Sequence, residues 1–175
     1  MKFYTILILC FFSCGSTNTE STQTEKIRVY ENDNFSLQYP KEWHNHDNHG
    51  YPSFSPKLYL KRDRNFFDNV LTIYKLDHER DKSKTIDDFI KDKKERATTS
   101  TNETRFQQKS LNTKNGTAII VELDERRDYR PMREITFFLT NNEIIYELKY
   151  RVRSNIYDEY INEALAIIDS FEFKN

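Results

Sequence analysis

The stretch His44-Asn45-His46-Asp47-Asn48-His49 gathers three of the chain's four histidines. Imidazoles at the spacing H-x-H-x₂-H on a loop can bring nitrogens to about 2.0–2.1 Å from a Zn²⁺ ion, with Asp47 as ligand or as the carboxylate that orients a ligand. Hydrolysis at such a metal would also need a general base or nucleophile, and Glu42 is the one nearby candidate. The same residues read equally as a polar surface loop, because Asn45, Asn48 and Gly50 are turn formers and nothing in the segment fixes the imidazoles. The loop is the favoured reading, and no metal or other cofactor is assigned. A metal-binding protein or metal-dependent enzyme using His44, His46 and His49 stands as the alternative.

A second constellation runs Arg126-Arg127-Asp128-Tyr129-Arg130-Pro131-Met132-Arg133. Arginine forks suit carboxylate or phosphate, so Arg126 to Arg133 is a candidate receptor for a small acidic ligand, with Tyr129 and Met132 adding apolar contact. A solvated hairpin tip whose acids neutralise its own arginines is the simpler account. Arg151 and Arg153 could extend the basic patch, though Glu147 interrupts it. The chain has no GxSxG, HExxH or Cys-His pairing, so nucleophilic and zincin mechanisms lack support. Three glycines are too few for a phosphate-cradling GxGxxG or P-loop. No catalytic residue is assigned and the chain is expected not to be an enzyme.

With Lys+Arg 27 against Asp+Glu 28 the net charge is −1, which provides no global field for nucleic acid. Thirteen Phe, eleven Tyr and one Trp against three Gly and four Pro describe a chain that builds a core. Both cysteines, Cys10 and Cys14, lie at the N-terminus, so disulfides and thiolate chemistry are excluded from the folded part.

Lys2 is followed by an apolar run, Phe3 to Phe12, which as a helix would be about 15 Å long, half of a bilayer's hydrocarbon core of about 30 Å. A basic start, a short apolar stretch and small polar residues make a secretory signal. The junction Phe11-Phe12-Ser13-Cys14-Gly15 resembles a bacterial lipobox, which implies that Cys14 is acylated and becomes the new N-terminus. Gly15 to Glu25 contains no apolar side chain and reads as a tether with an r.m.s. reach of roughly 17–20 Å. The expected organisation is a lipoprotein signal peptide at 1–13, a lipid-anchored tether at 14–25 and one globular domain at 26–175, in the bacterial cell envelope and attached to membrane through its lipid.

The elements that position these residues follow from periodicity. Strands are expected at Ile27 to Tyr30, Phe35 to Tyr39, Lys57 to Lys61, Val70 to Leu76 and Phe171 to Phe173. Arg105 to Leu111, Thr117 to Glu125, Arg133 to Thr140 and Glu143 to Arg153 form a meander, with turns at Asn115-Gly116 and Asn141-Asn142. In the last strand Tyr146, Leu148, Tyr150 and Val152 face a core while Glu147, Lys149, Arg151 and Arg153 face water. Thr85 and Asp88 cap a helix carrying Ile86, Phe89, Ile90 and Ala97 to about Thr98. A second helix starts near Ser154 or Asn155, with Tyr157, Tyr160, Ile161, Ala164, Leu165 and Ile168 as its apolar stripe.

The strand Phe35-Ser36-Leu37-Gln38-Tyr39, ended by Pro40 and followed by Trp43, combines with the terminal Ile167-Ile168-Asp169-Ser170-Phe171-Glu172-Phe173. Together they resemble the PsbP-like superfamily, which includes PsbP, Mog-type and DcrB-like proteins, from about Phe35 to Phe173. The resemblance implies an α+β fold, a single domain with an antiparallel β-sheet of about six to seven strands and helices packed on its faces. It also implies a non-enzymatic binding or assembly role with an envelope protein partner, and it transfers no ligand-binding residue.

Overall fold

The computed structural model describes residues 26–56, 69–78, 81–99, 105–127 and 130–174. Cys14, expected to carry lipid, the segment expected to act as a tether and the strand expected at Lys57 to Lys61 lie outside the described residues.

A seven-stranded antiparallel sheet forms the centre. In chain order its strands are β3 (Trp43–Asn48), β4 (Tyr51–Pro56), β5 (Asn69–Leu76), β6 (Phe106–Thr113), β7 (Gly116–Arg127), β8 (Arg130–Asn141) and β9 (Ile144–Arg153). Their spatial order is β3-β4-β5-β9-β8-β7-β6. The expected meander is therefore present as β6-β7-β8-β9, and β9 pairs on its far side with β5 over Asn69 to Leu76. A smaller sheet, not anticipated from the sequence, has the order β1 (Ile27–Glu31), β2 (Phe35–Pro40) and β10 (Glu172–Phe173). Two helices, α1 (Ile86–Thr99) and α2 (Tyr157–Ser170), complete the described fold, α2 being led in by a 3₁₀ turn at Ser154–Ile156.

Strand alternation separates the two faces of the large sheet. Phe54, Leu71, Ile73, Ile135, Phe137, Leu148 and Tyr150 point to one face, where they join Phe35, Leu37 and Tyr39 of the small sheet and Ala164, Ile167 and Ile168 of α2 in the main core. Phe35 lies 4.9 Å from Phe171 between ring centroids, and Tyr39 lies 5.1 Å from Phe54. On the opposite face Val121, Leu123 and Phe138 meet Ile90 of α1, a smaller cluster. α1 opens with the expected cap: the Asp88 amide donates to Thr85 Oγ1 at 3.2 Å, and Thr85 donates its amide and hydroxyl to Asp88 Oδ2, each at 2.8 Å. These bonds hold the Asp88 carboxyl below the usual carboxylate range.

Two turns differ from expectation. At the β8–β9 hairpin Asn141 pairs with Ile144, so the two-residue turn is Asn142-Glu143, and both have positive φ, 49° and 67°. This is the type I′ geometry that fits strand twist. At the β6–β7 hairpin only Gly116 takes positive φ, 97°, after the Lys114-Asn115 corner, so the bend is a type I turn closed by a glycine and not a type I′ turn. Glu143 has a side chain where glycine is preferred. Glu143→Gly should therefore raise stability by about 0.5–1 kcal/mol, seen as a melting temperature higher by roughly 1–4 °C in a thermal scan.

Candidate functional site

The face of β9 expected to be wet is covered. Glu147, Lys149 and Arg151 alternate on the side of the sheet that α1 lies over, and residues of neighbouring strands stand in register beside them. Ser53, Thr72, Lys149 and Thr136 form one row across β4, β5, β9 and β8. Ser53, Thr72 and Thr136 are all buried. A polar layer thus lies where the sequence pattern implied solvent.

Lys93 of α1 enters this layer. It stands at the i+3 position from Ile90 and four residues before Ala97, inside the apolar stripe of the helix, and is 2% exposed. Its ammonium lies 2.5 Å from Glu134 Oε1 and 2.7 Å from Glu147 Oε1. Glu134 Oε1 also accepts the Thr136 hydroxyl at 2.9 Å. Burial works to raise the Glu134 pKa, but the charges of Lys93 and Lys149 and the Lys93 hydrogen bond outweigh it and bring the carboxyl down to about 2. Lys149 follows the same logic with the sign reversed: burial would lower its pKa, and Glu147 and Glu134 hold it above the usual lysine value. Its ammonium sits 4.3 Å from the centre of the Tyr74 ring. Two cations face two carboxylates in this set, and Arg151, cross-strand from Glu134, adds a third positive charge to the layer.

Beside it opens a groove of about 920 Å³ between α1 and the sheet. Tyr51, Tyr74 and Phe89 supply aromatic walls, Lys93 and Glu147 reach its floor, and the exposed helix residues Asp92, Glu95 and Arg96 form the rim. Tyr51 and Tyr74 are 4.7 Å apart, and the Tyr51 hydroxyl is 2.7 Å from His78 Nε2. Lys84 pairs with Asp92 at 3.0 Å and sits 5.2 Å from the Phe89 ring. Aromatic walls with a rim of both charge signs suit a ligand that has apolar and polar parts. A smaller apolar cavity of about 350 Å³ lies between α2 and the other face, lined by Leu111, Phe137, Leu139, Leu165 and Ile168.

The histidine segment is not a loop. Trp43, fully buried, begins β3, and the strand runs to Asn48 in register with Tyr51–Pro56. His49 and Gly50, with φ of 56° and 86°, form the turn. Backbone pairing and the buried indole settle the segment as a hairpin, although its turn formers read as a loop. His44 and His46 therefore share one strand face, opposite Ser55 and Ser53, while His49 occupies the turn. Burial lowers the His46 pKa from its ordinary value, a pull only partly opposed by a hydrogen bond to the His44 backbone. Among the described residues no group of three His, Cys, Asp or Glu side chains is placed to hold a metal ion.

The arginine segment does form a hairpin, with Arg127 paired to Arg130, and its tip, Asp128-Tyr129, lies outside the described residues. Met132 is buried, and Arg133 is engaged with Asp124 at 3.1 Å, Asp158 at 3.5 Å and the Tyr157 ring at 4.7 Å. These two are committed to the fold. The structure brings together Lys93, Glu134, Glu147 and Lys149 instead, none of which stood out as a site in the sequence. One signal was there: a lysine inside the apolar stripe of a capped helix.

No protein-family model matches the sequence, and no curated protein matches it. Solved structures do. The solution structure of cyanobacterial PsbP (CyanoP) from Synechocystis sp. PCC 6803 superposes with a TM-score of 0.53 at 14% identity, covering 93% of this chain and 98% of that one. The crystal structure of PA94 from Pseudomonas aeruginosa, a protein of unknown function, gives a TM-score of 0.51 at 10% identity, covering 82% of this chain and 94% of that one. At these identities the likeness establishes architecture. With the element order, the Trp43 hairpin and the helix-to-strand ending in place, the chain has the α+β PsbP-like fold.

Proposed function

We propose that this chain is a non-enzymatic binding or assembly protein of the bacterial cell envelope, held at a membrane through lipid on Cys14. The observation that carries the binding role is the groove under α1. Its floor is held by the ion pairs of Lys93 with Glu134 and Glu147, so it presents a fixed surface for recognition. The envelope address comes from the lipobox, and no helix among the described residues is long and apolar enough to cross a membrane.

Two measurements test the proposal. Cys14→Ser in the full chain should move it from the membrane fraction to the soluble fraction of a bacterial host, because the apolar run before the cysteine is too short to span. Retention in the membrane by the serine variant sinks the anchor. A photo-crosslinking residue at Glu95, on the groove rim, should give one discrete protein adduct in intact cells, and the same residue at Gln108, on the exposed strand β6, should give none. Equal adduct patterns from the two positions would remove the groove from the account.

A further inference from the structure

One apolar position on the α2 side of the large sheet is left open. Leu111 of β6 pairs with Ala118 of β7, and Leu139 of β8 pairs with Tyr146 of β9. Ala118, Leu139 and Tyr146 belong to the main core, so Leu111 points to the same side, yet it is 49% exposed. The space between it and α2 is the cavity of about 350 Å³, with Phe137 and Leu139 on the sheet wall and Leu165 and Ile168 on the helix wall. One end is braced by the β6–β7 turn. The Lys114 ammonium lies 3.3 Å from the Ser170 carbonyl oxygen, and the Asn115 side chain donates to the Phe171 carbonyl at 2.6 Å. The cavity is therefore formed before any ligand enters it.

The charge at its mouth is unbalanced in one direction. Asp169 lies four residues beyond Leu165, hence on the same flank of α2, and lines the cavity. It is exposed, and its carboxylate forms no hydrogen bond or ion pair with a described residue. The last turn of α2 holds no basic residue to offset the partial negative charge of the helix C-terminus. The cations of β6 and its turn are engaged, Lys109 with Glu122 at 2.8 Å and Lys114 with Glu172 at 2.6 Å. Thr113 and Asn115, the other polar residues of the lining, commit their side chains to the turn, to the Phe171 carbonyl and to β10. What the site offers a ligand is apolar wall and one carboxylate.

We propose that this cavity binds a small amphiphilic cation, an ammonium group on a hydrocarbon or aryl-alkyl body, with the body against Leu111, Phe137 and Leu165 and the ammonium at Asp169. The volume suits such a body, being roughly twice the cavity of about 150 Å³ that takes up benzene. An anion would meet Asp169 and the helix C-terminus with like charge, and a neutral apolar molecule would leave the carboxylate uncompensated at its edge. The site lies on the opposite face of the large sheet from the groove under α1 and does not depend on what that groove binds.

The test uses the purified full chain with phosphatidylcholine vesicles present, so that it stays dispersed whether or not Cys14 carries lipid. The probes are 4-phenylbutylamine, 4-phenylbutanol and 4-phenylbutyrate, which share one body and differ in the charge of the head. Thermal unfolding is followed by emission of the single tryptophan, Trp43. The amine should raise the midpoint with increasing concentration, as a ligand of the native state must. The dissociation constant from that series should be at least fivefold weaker for the alcohol and weaker still for the acid. Asp169→Asn should bring the amine to the level of the alcohol while leaving the alcohol unchanged. Ala166→Phe, which fills the cavity from an exposed helix position, should abolish the response to all three while the chain still unfolds cooperatively. Equal binding of amine and alcohol by the parent overturns the proposal, as does an Asp169→Asn variant that keeps its preference for the amine. Midpoints unmoved by the amine, or moved equally in the parent and in Ala166→Phe, overturn it as well.

Discussion

Lys93→Met should lower the unfolding free energy by about 3–5 kcal/mol, because it strips the partner from carboxylates that burial penalises. For a domain of this size that is a fall in melting temperature of roughly 6–20 °C. The companion double variant, Lys93→Met with Glu134→Leu, should recover much of the loss, since a buried pair exchanged for apolar residues of similar volume is often neutral or stabilising. The pH profile gives a second readout. In the parent protein the Glu134 pKa is lowered from 4.5 to about 2. Its contribution is therefore complete above the ordinary carboxylate range and is lost as pH falls from about 4.5 toward about 2. Without Lys93, burial dominates and raises the carboxyl above its unfolded value. The variant should then gain stability on acidification, the reverse of the parent. Chemical denaturation at a series of pH values decides it: a variant that loses stability in acid as the parent does would mean that Lys149 and Arg96 suffice to keep Glu134 ionised.

The legible parts of the fold were those with strong periodicity. β8 and β9 alternate cleanly enough to be placed from sequence, and the Thr85–Asp88 cap with Ile86, Phe89 and Ile90 fixed the start of α1. The β3–β4 hairpin escaped notice for a physical reason. Its strands carry His44, His46, Asp47, Pro52 and Pro56, poor strand residues, and what holds them is a tertiary contact, Trp43 against Tyr150 with ring centroids 6.4 Å apart. The three strands of the small sheet were each expected, but not their parting from the large sheet, since β10 has two residues and depends on side chains from afar: Asn115 donates to the Phe171 carbonyl at 2.6 Å and accepts from the Phe173 amide at 3.3 Å. The polar layer was misjudged because alternation says only that the two faces of β9 differ. It cannot say that a helix brings its own lysine to cover the charged one.

Trp43→Ala should cost about 3–5 kcal/mol, the range for deleting a fully buried aromatic side chain. The indole does more than fill space. Its Nε1–H donates to Glu163 Oε2 at 2.5 Å, tying the outermost strand of the large sheet to α2. α2 is tied in turn to β2, where the Ser170 hydroxyl accepts the Gln38 amide at 2.8 Å and donates to the Gln38 carbonyl at 3.1 Å. Trp43→Phe keeps most of the apolar volume and removes the donor, leaving the Glu163 carboxylate to partial solvent; it should cost about 1–3 kcal/mol. Glu163→Gln preserves a side-chain acceptor and should lie nearer the parent, with the single tryptophan's own emission reporting its unfolding. Ordering the variants by urea midpoint separates packing from the hydrogen bond: Trp43→Phe as damaging as Trp43→Ala would assign the effect to the bond alone. The consequence reaches the groove through one chain of contacts. β3 carries β4, and β4 begins with Tyr51, whose ring packs at a tilt against Tyr74 at the wall. Loosening the hairpin at its tryptophan should therefore weaken crosslinking from Glu95, although Trp43 lies on the opposite face of the sheet.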